Sequence, residues 1–219
     1  MKENLEALVS TGSGPLSPQL TLARLPAAVR KQAGALGQEL LEMLKVKNGF
    51  FAFDRALHVF PLGTANEGYD LVTWNSDELW RTAYGHLLAG RELFFAEDIF
   101  GEQFLIREDN IWRFDPETGD QEAFADTLDD WAYRILDEDH VEVGTLFAND
   151  WTYLNGPLDA KMRLVPRRLF TLGGAFELDN LFAADAVKAM RFRGDFAQQV
   201  HDLPDGTEIE LELTDEHDL

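Results

Sequence analysis

Two segments of the chain carry apolar residues at the spacing of an amphipathic helix. In the first, from Pro26 to about Lys47, the apolar stripe consists of Val29, Ala33, Leu36, Leu40 and Leu44. In the second, the stripe consists of Phe124, Leu128, Trp131 and Ile135. Intervals of three and four residues place each stripe on one side of a helix. The pattern therefore predicts two helices, the second with an acidic outer face and with Trp131 on the core side.

Short apolar runs bounded by turn residues predict strands in the middle of the chain. One run lies at 48–63 and contains a tight bend, and three shorter runs lie at 92–96, 103–107 and 111–114. The segment 115–120 contains Pro and Gly and predicts a further turn before the acidic helix. Strands joined by such short turns favour antiparallel pairing.

The remaining pattern places elements around these strands. Asn75 followed by Glu78 is typical of a helix N-terminus, so we predict a helix from Asn75 to about Ala89. In the last third, the spacing predicts a helix at 185–201 between strands at 168–172 and 207–213. We therefore predict an α+β fold in which helices flank an antiparallel-rich mixed sheet.

Composition divides the chain into three regions. A loop at 9–18, rich in Gly, Ser and Pro, separates a short N-terminal helix from the rest. We predict an N-terminal segment at 1–24, an α+β region at 25–150, and a C-terminal region at 151–219 packed on it as one compact unit. Because the sequence shows neither a signal-peptide pattern nor a long apolar run, we expect a soluble, cytoplasmic protein.

The chain is strongly acidic, with 40 Asp and Glu against 19 Lys and Arg and a formal net charge of −21. Eleven acids and one base fall in 115–142, and eight acids with no Lys or Arg fall in 202–219. This charge repels the phosphates of nucleic acids and anionic membranes, and it favours encounter with a basic partner protein. We therefore expect no direct binding of nucleic acid or membrane.

The residue patterns of common catalytic sites are missing from the sequence. There is no Cys, no G-x-S-x-G motif, and no Gly-rich phosphate-binding motif. The five histidines do not have metal-ligand spacing. The adjacent acids Glu97 and Asp98 fit a turn better than an acid–base pair, because neighbours on a strand face opposite ways. The sequence predicts a non-enzymatic protein with no catalytic residues, no metal site and no cofactor.

Two motifs in the first half occur in the order expected of one family. Asn48 and Gly49 end the first predicted helix, and Asp98, Phe100 and Gly101 form a later Asp-x-Phe-Gly turn. In these features the first half resembles the SUKH superfamily. The resemblance implies a SUKH-like α+β scaffold.

The second half carries two further motifs, Gly-Gly-x-Phe-x-x-x-Asn-Leu and Gln-x-x-x-Leu-Pro-Asp-Gly. Their residues include Gly173, Gly174, Asn180, Leu181, Pro204, Asp205 and Gly206. In these features the chain resembles the C-terminal domain of immunity proteins that protect bacteria from their own type VI secretion DNase effectors. All the matching residues are of turn or core type, so the resemblance identifies a scaffold without a catalytic set.

The resemblance implies an immunity protein that binds a cognate toxin with a basic nuclease surface and occludes it. A protein of net charge −21 suits that role, since it can occupy a surface built for phosphates. The candidate partner-binding residues are acids of the acidic helix region, namely Asp129, Asp130, Asp137, Glu138, Asp139 and Glu142. Two alternatives stay open: a non-enzymatic regulatory interaction module of the same fold, and a protein that binds a small ligand in an aromatic cleft of the first half.

Overall fold

The computed structural model describes residues 1–204, 206 and 207, and of residues 138–140 the backbone alone. Within this part of the chain the helices are α1 (Glu3–Thr11), α2 (Ala27–Ala33), α3 (Gly37–Val46), α4 (Leu71–Trp74), α5 (Leu128–Leu136), α6 (Thr145–Asn155) and α7 (Ala186–Val200). Short 3-10 segments lie at Gly34–Leu36, Arg81–Leu87, Glu138–Val143, Phe170–Leu172 and Leu178–Asn180. The strands are β1 (Phe50–Ala52), β2 (Leu57–Val59), β3 (Leu93–Asp98), β4 (Gln103–Arg107), β5 (Asn110–Phe114), β6 (Gln121–Ala125), β7 (Met162–Pro166) and β8 (Leu181–Asp185).

The main sheet is a six-stranded meander in which β1 to β6 follow one another in chain order. Strands β7 and β8 form a separate hairpin, and every pairing in the described residues is antiparallel. The hairpin is tied to the main sheet because the Leu164 amide donates to the Ile99 carbonyl at 2.8 Å. The predicted α+β class is confirmed.

The strands predicted in the middle of the chain are confirmed. Strands β3, β4 and β5 begin and end within two residues of the predicted bounds. The tight bend predicted in the first apolar run lies between β1 and β2, where Phe53, Asp54 and Arg55 all have left-handed backbone angles, with φ of 53°, 50° and 71°. Helix α7 follows the predicted span as well, and it continues through Gly194.

Two helix predictions in the first half need correction. The helix predicted from Pro26 to Lys47 is interrupted at Gly34, whose φ is +50°, because the Asp109 carboxylate accepts from the Ala35 amide at 2.6 Å. The helix predicted from Asn75 is wrong. Asn75 instead ends α4, and its side chain binds the Phe94 backbone, accepting from the amide at 2.9 Å and donating to the carbonyl at 2.8 Å.

Two further predictions differ from the structure, and a third falls almost wholly outside the described residues. The acidic helix begins only at Leu128, because Phe124 belongs to β6, a strand that the periodicity missed. The strand predicted at 168–172 is a 3-10 turn instead, and the strand of this region is β7. The strand predicted at 207–213 lies outside the described residues except for Thr207.

One large hydrophobic core joins all three predicted regions of the chain. It includes Leu5 and Leu8 of α1, the apolar faces of the main sheet, and Met190 and Ala197 of α7. Helix α1 packs against α5 and α3, so much of the predicted N-terminal segment is part of the core. Among the described helices, none combines the length and apolar character needed to cross a bilayer.

Candidate partner-binding surface

Helix α5 presents its acids outward because its apolar stripe is held in the core. The Thr127 hydroxyl accepts from the Asp130 amide at 3.1 Å and caps the N-terminus of the helix. Trp131 is buried, as predicted, with its ring centroid 5.1 Å from that of Phe95 and 5.8 Å from that of Phe104. This packing fixes which side of α5 a partner can reach.

Asp129 has a partner within the chain. Its carboxylate accepts from the Leu5 amide at 3.0 Å and from the Asn4 side chain at 2.9 Å. The first turn of α1 has unpaired amides and no side-chain cap of its own, so Asp129 supplies the missing acceptor. Asp129 therefore joins α5 to α1.

Glu142 also has partners within the chain. Its carboxylate is 2.9 Å from the Arg113 guanidinium and 3.3 Å from that of Arg134. Arg113 also pairs with Glu102 in the turn just before β4, so Glu102, Arg113, Arg134 and Glu142 form one partly exposed network. This network ties the turn before α6 to the main sheet.

Asp130 and Asp137 are the predicted acids that stand free for a partner. Both are exposed, and neither forms an ion pair within the described residues. Asp130 accepts from the Thr127 hydroxyl at 2.7 Å, and Asp137 follows the last turn of α5. The side chains of Glu138 and Asp139 lie outside the described residues.

Two acids outside the predicted set extend this surface. Glu122 on β6 and Asp126, just before α5, are exposed, and neither has an ion-pair partner in the part of the chain that the structure describes. Strand β6 packs directly against α5. We define Glu122, Asp126, Asp130 and Asp137 as the acidic surface.

The first-half motif residues build turns. The Asn48 side chain accepts from the Leu62 amide at 2.8 Å and donates to the Pro18 carbonyl at 2.7 Å, which holds the chain after α3, where Gly49 turns it toward β1. Asp98 accepts from the amides of Phe100 and Glu102 at 2.9 and 2.8 Å. Burial, together with the nearby Glu102 carboxylate, raises the pKa of Asp98 well above its usual value.

The turn after β3 is also held from the C-terminal half. The buried Arg193 guanidinium donates to the Phe100 carbonyl at 2.7 Å. Gly101 has φ of +83°, and a Cβ there would lie 2.7 Å from the same guanidinium. The Asp-x-Phe-Gly motif is thus a turn on which α7 packs.

The second-half motif residues form another compact turn. The Asn180 side chain donates to the carbonyls of Arg168 and Ala175, both at 3.0 Å, and leads into the buried Leu181 of β8. A Cβ on Gly174, the residue after Gly173, would lie 1.9 Å from the Arg168 carbonyl oxygen, so only Gly fits there. The motif therefore shapes the loop between the two strands of the hairpin.

The last motif is described only in part. The Pro204 carbonyl accepts from the Thr207 amide at 3.1 Å, and Gly206 between them has φ of +81°. Asp205 lies outside the described residues. The observed contacts are those of a turn.

A buried polar cluster lies away from the acidic surface. Glu97 on β3 pairs with Arg163 on β7 and lies 3.0 Å from His58 Nδ1 on β2, and all three side chains are almost fully buried. Gln103 donates to Glu97 at 3.1 Å and accepts from the Trp74 indole at 2.8 Å. The cluster joins the main sheet to the β7–β8 hairpin.

The protonation states in this cluster follow from burial and charge. Burial lowers the pKa of His58 from 6.5 to about 4, so the ring is neutral at physiological pH. Burial alone would raise the pKa of Glu97, but Arg163 and the hydrogen bond to His58 hold it below its usual value. Among the described residues, no three His, Cys, Asp or Glu side chains come together as a metal site would require.

The aromatic residues on which the small-ligand alternative depends lie mainly in the core. Phe60, Trp74 and Trp80 are fully buried. The ring centroids of Phe60 and Trp74 are 5.1 Å apart, and those of Trp74 and Trp80 are 5.6 Å apart. An open groove of about 940 Å³ lies nearby, between the loop at 17–22 and the Tyr69 region. It is lined by mixed polar and apolar residues.

No family model matches the sequence, and no protein of curated function matches it. Among solved structures, the crystal structure of Atu4351 from Agrobacterium tumefaciens is similar to this chain, with a TM-score of 0.56 and 15% sequence identity over 89% of each chain. The shared feature is the fold. It extends over both halves of the chain, while the relation to the SUKH superfamily stays a prediction.

Proposed function

We propose that this protein is a cytoplasmic immunity protein that binds a cognate secreted toxin, a type VI secretion nuclease, and blocks it by steric and electrostatic occlusion. The observation that carries the proposal is the acidic surface of Glu122, Asp126, Asp130 and Asp137, whose charges are exposed and unpaired within the described residues. The family resemblance of the turn motifs supports the same role.

The physical argument is charge complementarity. A nuclease holds the phosphates of its substrate with Lys and Arg, so its binding groove is basic. A folded protein with net charge −21 is attracted to such a groove, and once bound its volume excludes the nucleic acid. The acids of an inhibitor of this kind should be exposed and without an ion-pair partner before binding, as those of the acidic surface are among the described residues.

An immunity gene should lie beside the gene of its toxin, so the test first looks for an adjacent reading frame that encodes a toxin-like protein and then uses its catalytically inactivated product. We expect the wild-type protein to bind it and to block the nuclease activity of the active form. The triple variant E122K/D126K/D137K should slow association at least about tenfold at low salt, because it reverses the charges that attract a basic partner. Association rates by surface plasmon resonance measure this effect.

The control is E42K/D54K/D195K, which makes the same change in net charge at exposed acids on α3, the β1–β2 bend and α7. Circular dichroism checks that both variants are folded. Equal association rates for the two triple variants would contradict binding through the acidic surface, and failure of the wild-type protein to bind would contradict the immunity function.

A further inference from the structure

Helix α6 has an apolar outer face that no other described part of the chain covers. Leu146, Tyr153 and Leu154 are 62%, 88% and 65% exposed. Their sequence spacing places them within about 100° of the helix circumference, and the exposed Asp150 lies between them, so this side of α6 is apolar apart from one acid. This strip was not predictable from the sequence, because α6 also carries apolar residues on its inner side.

Two more exposed apolar residues extend the strip beyond the helix. Val141 precedes α6 and is 68% exposed, and Phe176 is 59% exposed on the neighbouring loop. The Phe176 ring stacks on Phe170 at 3.8 Å, and Phe100 contacts both Phe176 and Phe147 of α6, with centroids 6.0 and 5.2 Å apart. Phe176 is therefore held beside α6 by ring packing while one side of it faces solvent.

Acidic residues lie within this strip and beside it. Asp150 lies on the outer face of α6, and Glu177 and Asp179 are exposed on the loop that contacts the helix. The segment 137–160, which contains α6, holds six Asp or Glu and no Lys or Arg. We define Val141, Leu146, Tyr153, Leu154 and Phe176, together with these three acids, as the α6 face.

Large exposed apolar side chains that lie close together mark interaction sites on protein surfaces. The acids among and beside them select the partner, because a basic protein surface gains favourable charge pairs there while a nucleic acid or an acidic protein is repelled.

We infer that the α6 face is a second part of the binding surface for a basic partner protein, with Tyr153 and Leu154 as the apolar anchors and Asp150 and Glu177 facing its Lys and Arg residues. The inference rests on the proposed function, because it takes the toxin to be that partner. It adds an apolar anchor beside the acidic surface. Asp137 of the acidic surface directly precedes the 3-10 segment that leads into α6, so the two surfaces are neighbours along the chain.

The first experiment compares Leu154→Asp with Val46→Asp. Leu154 and Val46 are 65% and 64% exposed, and each lies in the last turn of its helix, so the two substitutions introduce the same carboxylate in closely similar local settings. Against the inactivated toxin-like protein from the adjacent gene, L154D should weaken binding at least about thirtyfold, and V46D should change it less than about threefold. Tyr153→Ala provides a second, milder variant.

The second experiment tests the acids of the α6 face with Asp150→Lys against Glu42→Lys, both on exposed helix surfaces. D150K should slow association several-fold more than E42K at low salt, and the difference should shrink at high salt. If L154D and Y153A both bind as tightly as the wild-type protein, the inference about the α6 face is overturned while the proposed function stands. If the wild-type protein does not bind, both are overturned.

Discussion

Glu97 and Arg163 place an ion pair, and His58 a neutral ring, where water does not reach. The Arg163 charge is tolerated because Glu97 lies against it, and His58 is neutral because its protonated form would be a second buried cation. The interior is therefore sensitive to acid through one particular ring. The other histidines that the structure describes, His86 and His201, are not buried.

Replacing His58 with Phe should remove part of the acid sensitivity of the fold. The pKa of His58 is lowered in the folded protein from 6.5 to about 4, so between these values the unfolded chain binds a proton that the folded protein does not. The stability of the wild-type protein relative to H58F should therefore fall by about 3 kcal/mol as the pH falls from 6.5 to 4. Urea denaturation at several pH values measures both proteins.

Both proteins share the shifted groups Asp98 and Glu102, whereas Glu97 differs, because H58F removes the hydrogen bond that helps to lower the pKa of Glu97. Asp98 and Glu102 have raised pKa values, so their contributions to stability change in the opposite direction, declining as the pH rises. Phe is a suitable replacement because the His58 ring already stacks on Phe51 with centroids 4.4 Å apart. Parallel stability curves for the two proteins would rule out the buried neutral ring.

Helix α1 depends on another helix for its N-terminal cap. Asp129→Ala removes the acceptor for the Leu5 amide and should lower the free energy of unfolding by about 1 kcal/mol. Amide hydrogen exchange should accelerate in residues 3–11 more than elsewhere. Asp126→Ala, at an exposed acid three residues earlier, serves as the control and should have a much smaller effect. Equal changes in the two variants would mean that the cap contributes nothing.

The sequence predicts elements well where local turns define them. Strands β3, β4 and β5 were predictable because each is an apolar run closed by a short polar turn. The break at Gly34 was not, because the acceptor that stabilises it, Asp109, is 74 residues away. The helix predicted from Asn75 failed for the same reason, since its amide binds the backbone of Phe94 on β3.

The same limit applies to the candidate surface. The outward direction of the α5 acids followed from the apolar stripe, and the buried Trp131 confirms that stripe. The partners of Asp129 and Glu142 were not predictable, because Leu5 and Arg113 belong to distant elements. The α6 face was missed because apolar residues on both sides of a helix show no stripe in the sequence.

The charge of the whole molecule should give stability and binding opposite responses to salt. With a net charge of −21, the folded protein repels itself, so screening should stabilise it, while the same screening weakens attraction to a basic partner. Raising NaCl from about 50 mM to about 500 mM should therefore raise the unfolding free energy and slow association. Urea denaturation and surface plasmon resonance in the same buffers measure the two. If added salt instead raised both the unfolding free energy and the association rate, or lowered both, specific contacts and not net charge would dominate one of the two quantities.

The meander also implies an order of assembly. Each strand from β1 to β6 pairs with its neighbour in sequence. All six strands of the sheet are therefore available once the chain has been made as far as Ala125, the last residue of β6. Local hairpins of this kind form early, and synthesis proceeds from the N-terminus, so the sheet can form while the last third is still inside the ribosome. Glu97 then lacks its counter-charge until Arg163 emerges. We expect the β7–β8 hairpin to dock last and to expel the water that keeps Glu97 solvated until then.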